Sequence, residues 1–334
     1  HTVRSMFPCS MNVIRQLSFS AVSRMACQRL SPEAARDLLN NVDNFMFDCD
    51  GVLWSGPKLI PGSLETIVKL KKMGKKIFYV TNNSSSSRRM YVEKCNTLGF
   101  PATEDDIVCT SYTAALYLKS INFKGKIYLV GNPAIAEELD KFGFQYIGLG
   151  PDRASDGASN YFNPALLDTQ LDPEVNCVLV GFDIHLSYYK MMKAATYARR
   201  KDCIFIATNE DSHLPCDGDI VIPGTGSIVA ACKIPARREP IIVGKPSTYG
   251  FTPLQKLHNL DPSRTLMVGD QCTTDIAFGR KCGLRTLLVF TGVLSKSDLE
   301  QLKQSTDPET HEMLPEFCTS SLVDLMDLSK NSCL

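Results

Sequence analysis

Short apolar runs that stop at a single polar residue recur along this chain, and between them apolar positions return every three or four residues. The first run reads NFMFD and ends on Asp48; later ones read KIFYVT to Thr81, PIIVGK to Lys245 and TLMVGD to Asp270. Runs this short, bounded by turn residues and apolar on both faces, are the pattern of strands buried inside a parallel sheet. The segments between them read as helices. Ser31 and Pro32 open one that runs to Leu39, by the preference of serine for the cap and of proline for the first turn. Pro61, Gly62 and Ser63 start a second, with Leu64, Ile67, Val68 and Leu70 as its face and Gly74 as its stop. The serine run from Ser84 to Ser87 caps a third, is otherwise read as solvated surface, and is followed by Gly99 as the stop. A strand at 107–110 and a helix at 111–121 complete a strand–helix–strand alternation of the kind that builds parallel sheets.

A second alternation begins at Lys126. It comprises KIYLVG, a helix at 134–142, FQYIG, a polar glycine-bearing stretch at 150–163, CVLVGFD at 177–183, a helix carrying Tyr188, Tyr189 and Met191, and IFIATN at 204–209. Near Pro240 the first pattern resumes with PIIVGK, TLMVGD and RTLLVFTG. Two helix-like segments at 295–303 and 320–328 follow and are expected to cover the sheet edge. At 334 residues the chain is long for one core, since about 150 residues per domain is the usual prior. The expected architecture is α/β: a Rossmann-like parallel sheet with helices on both faces, built from 31–122 and 239–334. An inserted α/β unit spans 123–238, and residues 1–30 form an N-terminal tail.

Charge and cysteine content narrow the function classes. Lys+Arg and Asp+Glu both total 36, so no net charge points to nucleic acid or an anionic membrane. No apolar run approaches the roughly 18 to 20 residues of a membrane helix. Thirteen cysteines, an odd number with no CxxC pair, match neither a disulfide framework nor a zinc module, and point to a reducing compartment. The tail holds Arg4, Arg15, Arg24 and Arg29 and precedes the first acidic residue, Glu33, which is the composition of a mitochondrial transit peptide. Met25, however, opens MACQRLSPEAARDLL as a start of its own. The expected location is the cytoplasm, with the mitochondrion as the alternative.

Chemistry gathers at the ends of the apolar runs. In a strand, Asp48 and Asp50 point the same way, and two carboxylates so close need a cation or a shared proton between them. Ligands of open parallel sheets bind beyond the carboxyl ends of the strands, so Asp48, Thr81, Lys245 and Asp270 are expected at one edge of one sheet. Asp275 adds a further carboxylate. Hard oxygen donors without histidine or thiolate favour Mg²⁺. Thr81, Asn82 and nearby amides can donate to phosphate oxygens, and Lys245 supplies a point charge. By itself a DxD is more often a solvated turn, and PGTGS at 223–227 is better read as a turn capping a helix from Ile228 than as a phosphate cradle. His185 reads as a structural hydrogen-bonding residue. Tyr188, Tyr189, Met191 and Met192 read as core of the inserted unit or as a dimer interface. Cys49, between the two aspartates, is either an inert buried thiol or a site where oxidation inactivates.

Taken in order, DCDGV at 48–52, TNN at 81–83, GKP at 244–246 and GDQCTTD at 269–275 resemble the four motifs of haloacid-dehalogenase-like phosphatases. The inserted unit resembles the large α/β cap of the branch containing phosphoglycolate, pyridoxal phosphate and p-nitrophenyl phosphatases. VGFD at 180–183, PGTGS and VGKPS at 243–247 also match that branch. The resemblance implies that Asp48 is the nucleophile that forms an aspartyl phosphate and that Asp50 is the general acid and base. It further implies Mg²⁺ held by Asp48, the Asp50 main-chain carbonyl and Asp270, with Asp275 behind, and phosphoryl oxygens held by Thr81, Asn82, Asn83 and Lys245.

Substrate choice is expected from the cap loop at 207–215, through Asn209, His213 and Leu214. Pyridoxal phosphatases of this branch carry histidine directly before the loop proline. Here Leu214 stands there and His213 one place earlier, an order closer to phosphoglycolate phosphatases. The implied substrate is a small phosphate monoester, 2-phosphoglycolate with glycerol phosphate beside it, and pyridoxal phosphate as the alternative. A phosphomutase is disfavoured because such branches carry smaller caps. A silent scaffold on the same fold is the reading from another class, and chains of that kind lose motif residues that are all present here. The branch also implies a homodimer formed through the cap.

Overall fold

The computed structural model describes residues 27–152, 164–214 and 219–330. Most of the N-terminal tail, most of the 150–163 stretch and Pro215 of the cap loop lie outside the described residues. The first sheet is seven-stranded and wholly parallel. Its order is Gln28–Arg29, Phe317–Thr319, Arg285–Val289, Thr265–Gly269, Asn44–Asp48, Lys76–Thr81, Ile107–Cys109. Asn44–Asp48 and Thr265–Gly269 lie side by side in the middle of the sheet, and connections leave them in opposite directions, which is where doubly wound sheets open a ligand crevice. Phe45, Met46 and Phe47 are wholly buried there, which accounts for an apolar run without alternation.

Helices begin where their caps were expected. The Ser31 hydroxyl accepts the Ala34 N–H at 3.2 Å and opens Pro32–Asn41, and the Ser87 hydroxyl accepts the Met90 N–H at 3.4 Å and opens Arg88–Thr97. Packing departs from expectation in two places. The buried stripe of Ser63–Lys72 is Ser63, Thr66, Ile67 and Leu70, with Leu64 and Val68 only half-buried. Ser84 and Ser87 are buried as well, so the serine run is not solvated surface throughout.

A second parallel sheet runs in the order Ile241–Ile242, Ile204–Ala207, Val175–Val180, Lys126–Val130, Gln145–Ile147. One expectation is corrected here. The strand leading to Lys245 belongs to this second sheet, with Ile206 and Ala207 opposite Ile241 and Ile242, and not to the sheet that carries Asp48 and Asp270. A short buried apolar strand satisfies either sheet equally, so periodicity alone does not choose between them. At the far edge of the first sheet, Gln28–Arg29 and Phe317–Thr319 add two strands where helices were expected as cover.

The two sheets are joined by partly buried polar contacts. The Asn132 amide donates to the carbonyls of Ser84 and Phe182 at 3.0 and 2.8 Å, and Phe182 N–H donates to the Ser84 hydroxyl at 3.1 Å. Glu138, wholly buried, accepts the Arg88 main-chain N–H at 2.8 Å and its guanidinium at 3.0 Å, at the first turn of a helix where negative charge is favoured. Among the described residues no helix is long and apolar enough to cross a membrane.

Candidate active site

Asp48 ends the central strand, and the chain must turn at once. Gly51 makes that turn with φ +84°, and a Cβ there would lie 2.4 Å from Asp270 Oδ2, so both conformation and space demand glycine. Asp270 follows the adjacent strand Thr265–Gly269. Its carboxylate packs against Gly51 and Gly292 and accepts the Val293 N–H at 2.7 Å. Asp275 sits in the single wide turn Cys272–Ile276, where its Oδ2 accepts the main-chain N–H groups of Asp270 and Gln271 at 3.2 and 3.1 Å. Carboxylate oxygens of Asp48, Asp270 and Asp275 all lie within 4.8 Å of one another.

Lys245 enters this cluster from the second sheet. Its ammonium donates to Asp48 Oδ1 at 2.6 Å, to Asp275 Oδ1 at 2.7 Å and to the Val80 carbonyl at 3.2 Å. Burial alone pushes its pKa down, but Asp275 and Asp48 outweigh burial and hold it above its ordinary value. Burial pushes the Asp48 carboxyl well above the usual range; Asp275 and Asp270 add to this and Lys245 opposes it. Asp270 is pushed up to about 7, by burial first and then by Asp275. Three crowded carboxylates against one ammonium cannot all ionise without a further cation. All the donors are hard oxygens, a set that fits Mg²⁺. Asp48 and Asp270 could hold such an ion, whereas both Asp275 oxygens are engaged by Lys245 and the turn amides.

Asp50 is held by a residue that motif reading passed over. Trp54 Nε1–H donates to Asp50 Oδ1 at 3.0 Å, and the indole is itself wholly buried beneath the Lys94 ammonium, 4.4 Å from its ring. Thr291 was likewise unmarked, and its hydroxyl donates to the Gly51 carbonyl at 2.6 Å. The spacing from Trp54 back to Asp50 was visible in FDCDGVLW, whereas nothing local links Thr291 or Val293 to the site.

Beyond the second strand, Thr81 is buried and accepts the Asn83 N–H at 3.1 Å. Asn83 Oδ1 accepts from the Ser85 N–H at 2.6 Å and its hydroxyl at 2.7 Å, closing a tight local turn. Asn82 does not offer its side chain to the cluster: Oδ1 accepts the Lys245 N–H at 2.8 Å and Nδ2 donates to the Lys245 carbonyl at 3.0 Å. In the cap loop, Asn209 is buried and both polar atoms of its amide are engaged, by Thr208 and Asp211. His213 is exposed with Nδ1 2.9 Å from the Ser212 hydroxyl, and Leu214 is half-buried in a short hairpin opposite Ile222.

Other marked residues fall outside the cluster. PGTGS starts a helix at Thr225, three residues earlier than expected, and its glycines lie against the carbonyls of Glu210 and Asp211. His185 bonds through its main-chain N–H to Asp183, with the residue exposed. Tyr188 is exposed and Tyr189, Met191 and Met192 are half-buried; Tyr128 and Tyr197 fill the core instead. Cys49 is wholly buried, and burial followed by Asp48 pushes its thiol far up, which disfavours the reactive thiolate.

Comparison with known proteins agrees with this geometry. A model described as haloacid dehalogenase-like hydrolase matches residues 45–145, and a HAD-hydrolase-like model matches residues 242–317. The chain is 41% identical over 310 residues to glycerol-3-phosphate phosphatase of Rattus norvegicus, covering 90% of this chain and 95% of that one. It is 42% identical over 306 residues to chloroplastic phosphoglycolate phosphatase 1A of Arabidopsis thaliana, covering 90% and 81%. Among solved structures, the p-nitrophenyl phosphatase from Archaeoglobus fulgidus superposes with a TM-score of 0.71 at 30% identity, covering 86% of this chain and 99% of that one. With three strand ends delivering one acid and lysine cluster, and relatives matching nearly end to end, this chain belongs to the haloacid-dehalogenase-like hydrolases.

Proposed function

We propose that the protein is a Mg²⁺-dependent phosphomonoester hydrolase for small aliphatic phosphates, with 2-phosphoglycolate and glycerol 3-phosphate as its substrates. The observation that carries this is the Lys245 ammonium set between Asp48 and Asp275, with Asp270 alongside. Asp48 attacks phosphorus and forms an aspartyl phosphate while the P–O bond to the alcohol breaks. Asp50, oriented by Trp54, gives its proton to the departing alkoxide and then takes one from the water that attacks the phosphorus and releases Asp48. Lys245 and the backbone amides around Thr81, Asn82 and Asn83 hold the phosphoryl oxygens. Bound Mg²⁺ supplies positive charge that offsets the repulsion between a carboxylate and a phosphate dianion. Asp48, Asp270 and the Asp50 carbonyl hold the ion, and Asp275 fixes Lys245 and the turn behind them.

Two features support small aliphatic substrates over pyridoxal phosphate: Leu214 in place of a ring-facing histidine, and an exposed His213 tied to its neighbour. The names of the two relatives agree with this choice. The reading divides the chain into a catalytic core on the first sheet and a substrate-selecting cap on the second. Ile184, Tyr188 and Ile234 are exposed on the cap, which supports a homodimer formed there. All described cysteines are free thiols, which supports the cytoplasm as its location.

The test is phosphate release from p-nitrophenyl phosphate, 2-phosphoglycolate, glycerol 3-phosphate and pyridoxal 5′-phosphate, with and without Mg²⁺. Asp48→Asn abolishes turnover of all four. Asp50→Asn lowers kcat by about 10² to 10⁴-fold, the usual worth of a positioned acid and base. Equal turnover by Asp48→Asn, or none by the wild type, overturns the proposal. Faster turnover of pyridoxal phosphate than of the aliphatic esters overturns the substrate assignment alone.

A further inference from the structure

Asn82 stands at a junction that phosphate binding does not explain. One carboxamide grips both sides of the Lys245 backbone, accepting its N–H at 2.8 Å and donating to its carbonyl at 3.0 Å. The same Nδ2 also donates to Asp211 Oδ1 at 3.3 Å. Asp211 Oδ2 accepts from Asn209 Nδ2 at 2.8 Å, and Asn209 Oδ1 accepts the Thr208 hydroxyl at 2.9 Å. The Asn82 main chain is pinned too, its carbonyl accepting the Thr110 hydroxyl at 2.7 Å. A carboxamide has one acceptor oxygen and two N–H donors, and both of its polar atoms are used here within the protein.

Asp211 does more in this arrangement than add a bond. An Asn amide turned end for end would put Nδ2 against the Lys245 N–H and Oδ1 against the Lys245 carbonyl, donor facing donor and acceptor facing acceptor. An ionised carboxylate only accepts, so Asp211 favours the orientation in which Asn82 points Nδ2 toward it. The loop that carries Asp211 is in turn braced from its other side. Gly226 N–H donates to the Asp211 carbonyl and Gly224 N–H to that of Ser212, both at 2.9 Å. The space is also closed at Gly244, where a Cβ would lie 2.8 Å from Asn82 Oδ1 and 2.5 Å from the Thr208 carbonyl.

We propose that Asn82 is a positioning residue for Lys245, and that Asp211 couples it to the cap loop at 207–214. The lysine arrives from the second sheet and its carboxylate partners from the first, so a device that fixes its backbone sets how far its ammonium reaches. The loop expected to meet the organic part of the substrate thereby also governs the group that holds the phosphate. This rests on the phosphatase reading above.

The experiment is a double-mutant cycle of Asn82→Ala and Asp211→Ala on kcat for p-nitrophenyl phosphate and 2-phosphoglycolate, with thermal unfolding of each variant. Loss of a partly buried hydrogen-bond pair predicts a fall in kcat of about 10 to 100-fold for Asn82→Ala, and about fivefold for Asp211→Ala, on both substrates. The double variant then matches Asn82→Ala within about twofold, because Asp211 acts only through Asn82. Thermal midpoints stay close to wild type while kcat falls, which separates positioning from general loss of structure. Effects that multiply overturn the proposal, as does an Asp211→Ala change confined to KM for one substrate. Should Asn82→Ala not fold, Asn82→Ser with Asp211→Asn is read by the same rule. A wild type inactive on p-nitrophenyl phosphate overturns the phosphatase reading, whereas an active wild type with multiplicative variants overturns the coupling alone.

Discussion

A methyl group at position 292 has nowhere to go: its carbon would lie 1.8 Å from Asp270 Oδ2. Gly292→Ala must therefore push the Asp270 carboxylate aside. Since a shift near 1 Å at a reacting centre can cost up to about 10²-fold, we expect half-maximal activity to require about tenfold more Mg²⁺. Titrating activity against Mg²⁺ checks this, and an unchanged curve would mean that Asp270 does not hold the ion. Trp54→Phe keeps most of the buried ring but removes the donor to Asp50. With one hydrogen bond to a carboxylate worth about 1.5 kcal/mol, kcat should fall about tenfold with KM little changed. Much of this scale was legible in the sequence, because apolar runs that stop at Asp48 and Asp270 bring both acids to the same ends of neighbouring strands. How an amide is spent was not legible. Asn82 and Asn83 sit side by side in TNN, yet one grips Lys245, which is 163 positions away, and the other closes its own turn. Such partners come from tertiary neighbours that no local spacing encodes.

At the next scale, elements are tied together by a few charged side chains. Arg285, at the start of its strand, donates to Asp37 on the first helix and to Glu316 beside the edge strand, each at 2.6 Å. The guanidinium, with help from Asn41, holds the Asp37 carboxyl below its usual range. A depressed folded pKa gives stability that is present above the unfolded value, near 3.9, and is lost as pH falls through the folded one. Arg285→Gln should therefore cost about 1 kcal/mol at pH 7, a modest figure because Asp37 is about half exposed and screened. The difference should shrink at a second, acid pH, as the carboxyl becomes protonated in both states when pH falls through the depressed folded value. Urea midpoints at the two pH values decide it, and an equal difference at both would rule the linkage out. Strands and helices themselves were readable from their runs and caps, as Ser31 and Ser87 illustrate. Sheet membership was not: Ile241 and Ile242 are apolar and carry no mark of which neighbour they pair with.

For the molecule as a whole, the crowding of Asp48, Asp270 and Asp275 predicts that an ion bound among them stabilises the fold. Mg²⁺ at about a hundredfold above its Kd should stabilise the fold by about 2.7 kcal/mol, seen as a higher thermal midpoint that a chelator reverses. A midpoint indifferent to Mg²⁺ would argue against the site. The second sheet was legible at this scale because its own strand–helix alternation interrupts the first, whereas the contacts of Ser84, Asn132 and Glu138 that join the two sheets were not. Among the described residues, the edge strand Gln28–Arg29 pairs only with Phe317–Thr319, near the other end of the chain. During synthesis it has no partner until about 290 further residues have been added, which at 5 to 20 residues per second is about 15 to 60 seconds. The central strand likewise waits for Thr265–Gly269 on one of its sides. The first sheet therefore closes late in translation, while the second sheet, whose strands all lie between 126 and 242, is complete much sooner. A nascent chain halted after the second sheet should be protected from protease there while the strands around Asp48 are still cut.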